Sequence, residues 1–149
     1  MMKVVFLVCI AWSVESALAC ECAPLSVREA KGMAEVVFRG TITDISAGNV
    51  TFHVDRVWKG DVGRTFDMPE FPETSACIGF LSKWLRVGND LIIFATRLHR
   101  YPGDNDYFTS ICSRTGLADE AGDTLKKLGA GRLPRSLPAP RGDTERSGK

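Results

Sequence analysis

The sequence predicts a mainly β domain: a five-stranded closed barrel of the oligonucleotide/oligosaccharide-binding (OB-fold) type, with a helix at each end and two disulfides. Three observations carry this expectation. Between residues 36 and 111, short runs of apolar residues alternate with period two and are bounded by turn-forming residues. Helical spacing marks the two ends, near 26–33 and 117–128, with at most one helical turn between them, around 80–85. Cysteines are spread along the whole chain, and a folded part of about 110 residues has a modest core that benefits from such cross-links. Five short strands between two helices suit a small closed barrel.

The first 19 of the 149 residues read as a secretory signal peptide. Lys3 supplies the positive start, 4–14 is an apolar run too short to span a bilayer, and Ala17-Leu18-Ala19 gives the small-x-small cleavage pattern. The mature chain then begins Cys20-Glu21-Cys22-Ala23-Pro24. Ser26-Val27-Arg28-Glu29 matches a capping box, and Val27, Ala30 and Ala34 follow at helical spacing, which predicts a helix over 26–33. Val36, Phe38, Gly40 and Ile42 alternate with polar neighbours as a first strand, and Gly40 on the apolar face marks a bend or close backbone approach. Ala47-Gly48-Asn49 is a hairpin turn leading into Val50, Phe52 and Val54, and this second strand continues to Val57 and Trp58. A weaker third strand runs over 65–68, a long connection with Cys77 follows, and 91–95 is a strongly apolar fourth strand. A fifth strand runs over 107–111 and ends at Cys112. Leu117, Ala121, Leu125 and Leu128 mark one face of a closing helix, with Lys126 and Lys127 near its negative end. The domain is therefore expected over 20–129, followed by a proline- and arginine-rich tail, 130–149, read as disordered.

Cys9 leaves with the signal peptide, so Cys20, Cys22, Cys77 and Cys112 form an even set in an oxidising compartment, where two disulfides are the default. A bridge between Cys20 and Cys22 would close a very small ring. The other two schemes both tie the N-terminus to two distant points, and spacing leaves the choice between them open. Closing a loop from 20 to 77 is worth about 4 kcal/mol on the chain-entropy treatment. The cysteines and histidines do not cluster with zinc-finger spacing.

Removing the signal takes Lys3 and Glu15 together, so the net charge stays at +1, with no electrostatic footprint for nucleic acid. No second apolar stretch reaches membrane-spanning length, so no membrane association is expected unless Cys20 is lipidated. Bacterial lipoprotein signals usually place Leu three residues before that Cys, where this chain has Ala17. His53 and His99 lack a nearby nucleophile, and no G-x-S-x-G, H-E-x-x-H or phosphate-cradling loop occurs. An enzyme is not expected, nor a cofactor of its own. Phe38 and Phe52 fall in the apolar register, so core packing accounts for them better than a base-stacking platform does.

The mature N-terminus is the one unusual chemical element. A free α-amine titrates near about 7.7 to 8.0, so a sizeable fraction is neutral at physiological pH. Together with the carbonyl of the same residue it can chelate one metal ion, and disulfides at the first and third positions would hold it rigid.

With Ala19-Cys20-Glu21-Cys22-Ala23-Pro24, 34–40, 52–60, Ala76-Cys77-Ile78-Gly79, 91–95 and Cys112-Ser113-Arg114-Thr115 in this order, the sequence resembles the netrin-like (NTR) module. Within that group it is similar to the N-terminal domain of the tissue inhibitors of metalloproteinases. The resemblance covers residues 20 to about 129 and implies the barrel, the disulfides Cys20–Cys77 and Cys22–Cys112, and a protease-binding wedge. In that wedge Cys20 would present its amine and carbonyl to the catalytic zinc of a partner metalloprotease. Glu21 would enter the pocket just past the scissile bond, Cys22, Ala23 and Pro24 would continue the wedge, and Ser75 and Ala76 would pack beside it. The sequence departs from the animal inhibitors in lacking their third disulfide and second cysteine-rich domain, and in carrying Glu21 where they have Thr or Ser. An unpaired carboxylate is costly in an apolar pocket, which directs expectation away from matrix-type proteases. The resulting expectation is a secreted, monomeric inhibitor of a zinc metalloprotease, periplasmic or envelope-located if the source is bacterial. The alternative is a non-inhibitory extracellular netrin-like module that binds a protein or glycan.

Overall fold

A computed structural model describes residues 21–70, 77–97 and 106–136. The expected signal peptide, Cys20, Ser75, Ala76, His99 and the tail from 137 onward lie outside the described residues.

Helix α1 (Val27–Met33) starts where its capping box dictates. The Glu29 N–H donates to the Ser26 hydroxyl at 3.2 Å, and the Ser26 N–H donates to the Glu29 carboxylate at 2.8 Å. These bonds, the Ser26 side chain first and its backbone second, hold the Glu29 carboxyl below the ordinary range. Val27 and Ala30 are the buried face.

Six antiparallel strands follow: β1 (Val36–Ser46), β2 (Asn49–Lys59), β3 (Thr65–Pro69), β4 (Asp90–Arg97), β5 (Tyr107–Phe108) and β6 (Gly116–Leu117). Their order is β3-β2-β1-β4-β5, with β6 paired to the start of β4. The β1–β2 turn is the two-residue loop Ala47-Gly48, with φ of 49° and 76°, between the paired Ser46 and Asn49. Positive φ at both loop positions is the type I′ geometry that matches strand twist.

Three one-residue slips in the β1–β2 register do what strict alternation could not. Trp58 and Asp55 are extra residues on β2, and Thr43 is an extra residue on β1. Each bulge shifts the phase, so Val57 joins Val50, Phe52 and Val54 in the core, and Ile45 packs there with Ile42. Bulges also add twist and curl the sheet. The concave face closes over Phe38, Phe52, Met68, Phe80 and Trp84, all buried. Gly40 sits at one bulge, buried, where a Cβ would lie 2.9 Å from the His53 carbonyl oxygen.

The curl brings the edges together without joining them. Phe66 of β3 and Tyr107 of β5 touch as tilted rings with centroids 5.2 Å apart, but no β3–β5 ladder occurs among the described residues. The sheet is thus a curled antiparallel half-barrel. Only two residues of the expected 107–111 strand pair with β4, because the chain then turns to bond with itself and with Phe94.

The convex face is also covered. Val37, Ile92 and Phe94 pack against Ala30, Ala34 and Ala118, with Leu25, Trp58, Leu125 and Leu128 around them. Covering both faces buries every residue from Leu91 to Ala95, which explains why that run does not alternate. The closing helix α2 (Gly122–Leu128) is shorter than expected, since Leu117 belongs to β6 and residues 118–120 form a turn. Beyond α2, Arg132 exchanges backbone hydrogen bonds of 2.9 Å with Val57, and the Arg135 N–H donates to Val62 at 3.0 Å. Ordered contacts therefore run past residue 129, where the domain was expected to stop.

Gly40→Ala should cost about 1–3 kcal/mol by overpacking, read as a lower denaturant midpoint with an unchanged slope.

Candidate functional site

The corner where the chain enters the domain collects most of the chemically notable residues. Two crossings build it. Ile78 and Ser110 form a bridge, the Gly79 N–H donates to the Thr109 carbonyl at 2.9 Å, and the Ile111 N–H donates to the Cys77 carbonyl at 3.2 Å. The turn 109–115 is thereby held beside Cys77. On its other side, the Cys22–Cys112 disulfide ties in the N-terminal segment, with Cα atoms 5.2 Å apart and 90 residues between them in sequence. Closing a loop of that length is worth roughly 4–5 kcal/mol on the chain-entropy treatment.

A buried hydroxyl network fixes the turn. The Thr109 hydroxyl donates to the Phe94 carbonyl at 2.9 Å and lies 2.6 Å from the Thr115 hydroxyl. The Phe94 N–H donates to the Thr115 hydroxyl at 2.9 Å, and the Ser113 hydroxyl donates to the Ser110 carbonyl at 2.7 Å. Thr109 and Thr115 are almost fully buried, and each finds a partner, so the network rigidifies the turn without leaving an orphaned group.

Arg114 is the second anchor of the entering segment. Its backbone turns through φ of 71°, and its guanidinium donates to the Leu25 carbonyl and, at 3.2 Å, to the buried Thr124 hydroxyl. The segment is therefore gripped at Cys22 by a covalent bond and at Leu25 by a charged donor. Between and before these grips, Glu21, Cys22, Ala23 and Pro24 are exposed, while Leu25 turns inward. Beside them an apolar groove of about 270 Å³ runs from Cys112 and Ser113 past Phe108 and Phe94 to Leu25 and Met33. Met33 is 71% exposed at its rim.

The sequence-predicted site residues divide accordingly. Glu21, Cys22, Ala23 and Pro24 lie together at this corner, whereas Cys20, Ser75 and Ala76 fall outside the described residues. Of the two disulfide schemes that spacing left open, the described residues contain Cys22–Cys112. Arg114 and the Thr109–Thr115 pair had no role in the sequence reading. Arg114 stood in the Cys112-Ser113-Arg114-Thr115 stretch, but nothing in its spacing says that it reaches back 89 residues to Leu25.

Other polar features are structural. Asp90 binds Arg39 through one carboxylate oxygen, at 2.5 and 2.8 Å, and this bond raises the Arg39 pKa while clamping β1 to β4. His53 is exposed, 3.9 Å from the Asp55 carboxylate. Among the described residues no group of three or more His, Cys, Asp or Glu could hold a metal ion, and no helix is long and apolar enough to cross a membrane. No family model and no curated protein matches the chain.

Arg114→Ala should cost about 2 kcal/mol, since it removes a charged donor and leaves the buried Thr124 hydroxyl short of a partner. Hydrogen exchange should accelerate in the peptide spanning 21–30 while β1 and β4 remain protected. Arg114→Lys, reaching one acceptor at a time, should fall between.

Proposed function

We propose that this chain is a secreted, inhibitor-like netrin module that acts on a zinc metalloprotease through its mature N-terminus. The observation that carries the reading is the grip on the entering segment: Cys22 is bridged to Cys112, yet Glu21 through Pro24 stand exposed at the domain edge. A short chain end fixed at its base and open at its tip loses little entropy on entering a cleft.

Several features support the finer parts of this reading. Cys77 is disulfide-bonded, Cys22 and Cys112 are taken by each other, and Cys77 abuts Ile111 at the same corner. These facts favour Cys20–Cys77 as the second bridge. Joining β3 to β5 would complete a five-stranded ring, which favours a barrel of the OB type. A disulfide suits an oxidising compartment and thus an exported protein.

In the mechanism, the Cys20 amine, neutral once its proton is lost, and the Cys20 carbonyl oxygen would together chelate the partner's zinc. A zinc position filled in this way is denied to the water that serves as nucleophile in peptide hydrolysis. Glu21 would project into the pocket past the scissile bond, with Ser75 and Ala76 flanking. The domain's own residues supply stiffness: the Cys22 bridge and Arg114 keep the tip from folding away.

The reading requires a free amine on Cys20. An extra alanine placed before Cys20 displaces that amine by one residue and should abolish inhibition of any zinc protease that the wild type inhibits. Equal inhibition by the extended form would exclude the wedge. Absence of inhibition across a panel of zinc proteases would favour a non-inhibitory binding module, for which the apolar groove beside Cys112 is the available surface.

A further inference from the structure

The exposed residues Glu21 to Pro24 make a small contact surface. Each partner in a stable protein complex buries roughly 800 Å², contributed by about 20–30 residues. A partner held at this chain end therefore has to cover neighbouring surface as well. The apolar groove is continuous with the chain end: Leu25 and Cys112, which line it, belong to the two grips on the entering segment.

The chemistry of the groove limits what can fill it. Every side chain along it is uncharged, Ala30, Phe94 and Phe108 among them. Its hydroxyls are already engaged, Thr96 with Glu35, Thr109 with the Phe94 carbonyl and Ser113 with the Ser110 carbonyl. A charged or strongly polar occupant would lose water there without replacement. An apolar cavity of about 150 Å³ holds a benzene ring, and this groove measures about 270 Å³. At its rim Met33, 71% exposed, is a flexible apolar side chain able to pack over an occupant.

We propose that the groove receives one large apolar side chain, aromatic or leucine-like, from the rim of the partner protease. This inference rests on the wedge reading above. With Cys20 at the zinc, Glu21 to Pro24 run along the cleft past the scissile bond, and the groove beside Leu25 meets the enzyme's rim at that end. Anchors seated in a pocket and ringed by weaker contacts carry most of the affinity of protein interfaces. Zinc coordination positions the complex, while the groove adds area and discriminates: an enzyme with a charged or polar rim there gains nothing from it.

The test takes a zinc endopeptidase that the mature chain inhibits and compares single variants, each with its unfolding midpoint measured. Met33→Gln and Met33→Glu should keep the wild-type midpoint and weaken inhibition about tenfold or more, chiefly through faster dissociation. Met33→Leu should stay within about twofold of wild type, since it preserves apolar volume. Val87→Glu, at another exposed apolar position, just before β4 and away from the groove, should change nothing. Apolar residues on the enzyme's rim are replaced by serine in turn. One of these changes should weaken wild type as Met33→Gln does, and add little further loss to that variant, as a double-mutant cycle requires of a direct pair. Wild-type inhibition by Met33→Gln and Met33→Glu, or an equal loss in Val87→Glu, would overturn the groove contact while leaving the wedge standing. Absence of inhibition by every form, across a panel of zinc endopeptidases, would remove the wedge reading and this inference together.

Discussion

Strand β4 is held between β1 along its length and β5 and β6 at its two ends, with Leu91 through Ala95 shielded on both faces. Fully burying an apolar side chain of this size stabilises by roughly 1.5–3 kcal/mol, so a two-sided apolar strand forces something to cover each face. On the concave side the curled sheet does this with its own phenylalanines. On the convex side α1, Ala118 and α2 are drawn in. The position of the entering chain follows from that second cover, because α1 begins only a few residues after Cys22. The turn carrying Cys112 is likewise anchored to β4, through the Thr109 and Thr115 bonds to Phe94. Two segments distant in sequence thus meet over one strand, and the disulfide joins them there.

Much of this was legible because local chemistry and global packing agree. The capping box at Ser26 and Glu29 predicted the start of α1, the Ala47-Gly48 turn predicted the hairpin, and Phe38 and Phe52 occupy the core that their register demanded. What escaped has a common cause, in that it depends on contacts between remote residues. Period-two reading cannot foresee the bulges at Asp55 and Trp58, because an extra residue is only defined against a partner strand. Leu117 fits a helical face equally well and pairs with Leu91 because that strand needed a neighbour. The first residues after α2 looked unstructured by composition, yet Arg132 uses backbone groups, which composition does not report, to pair with Val57. Arg114 is the same case at the site, since its acceptors are a backbone carbonyl and a threonine on separate elements.

For function, the geometry sets a rigid base among exposed residues. The base is overdetermined: a covalent bond at Cys22, a guanidinium at Leu25 and a buried hydroxyl network beneath both. Around that base Glu21, Ala23 and Pro24 are exposed. Such an arrangement suits the chain-end recognition proposed above, where affinity gains from preorganisation. The metal-directed chemistry proposed for Cys20 draws on the family resemblance.

The claim on which the rest turns is that Cys20 is the first mature residue, unblocked and bridged beside Cys22. Mass spectrometry of the non-reduced mature protein, intact and after proteolysis, tests it directly. The expected result is a chain beginning at Cys20 with no added mass, carrying Cys20–Cys77 and Cys22–Cys112. A different first residue, a lipid or acyl mass on Cys20, or a free thiol at Cys20 would contradict it.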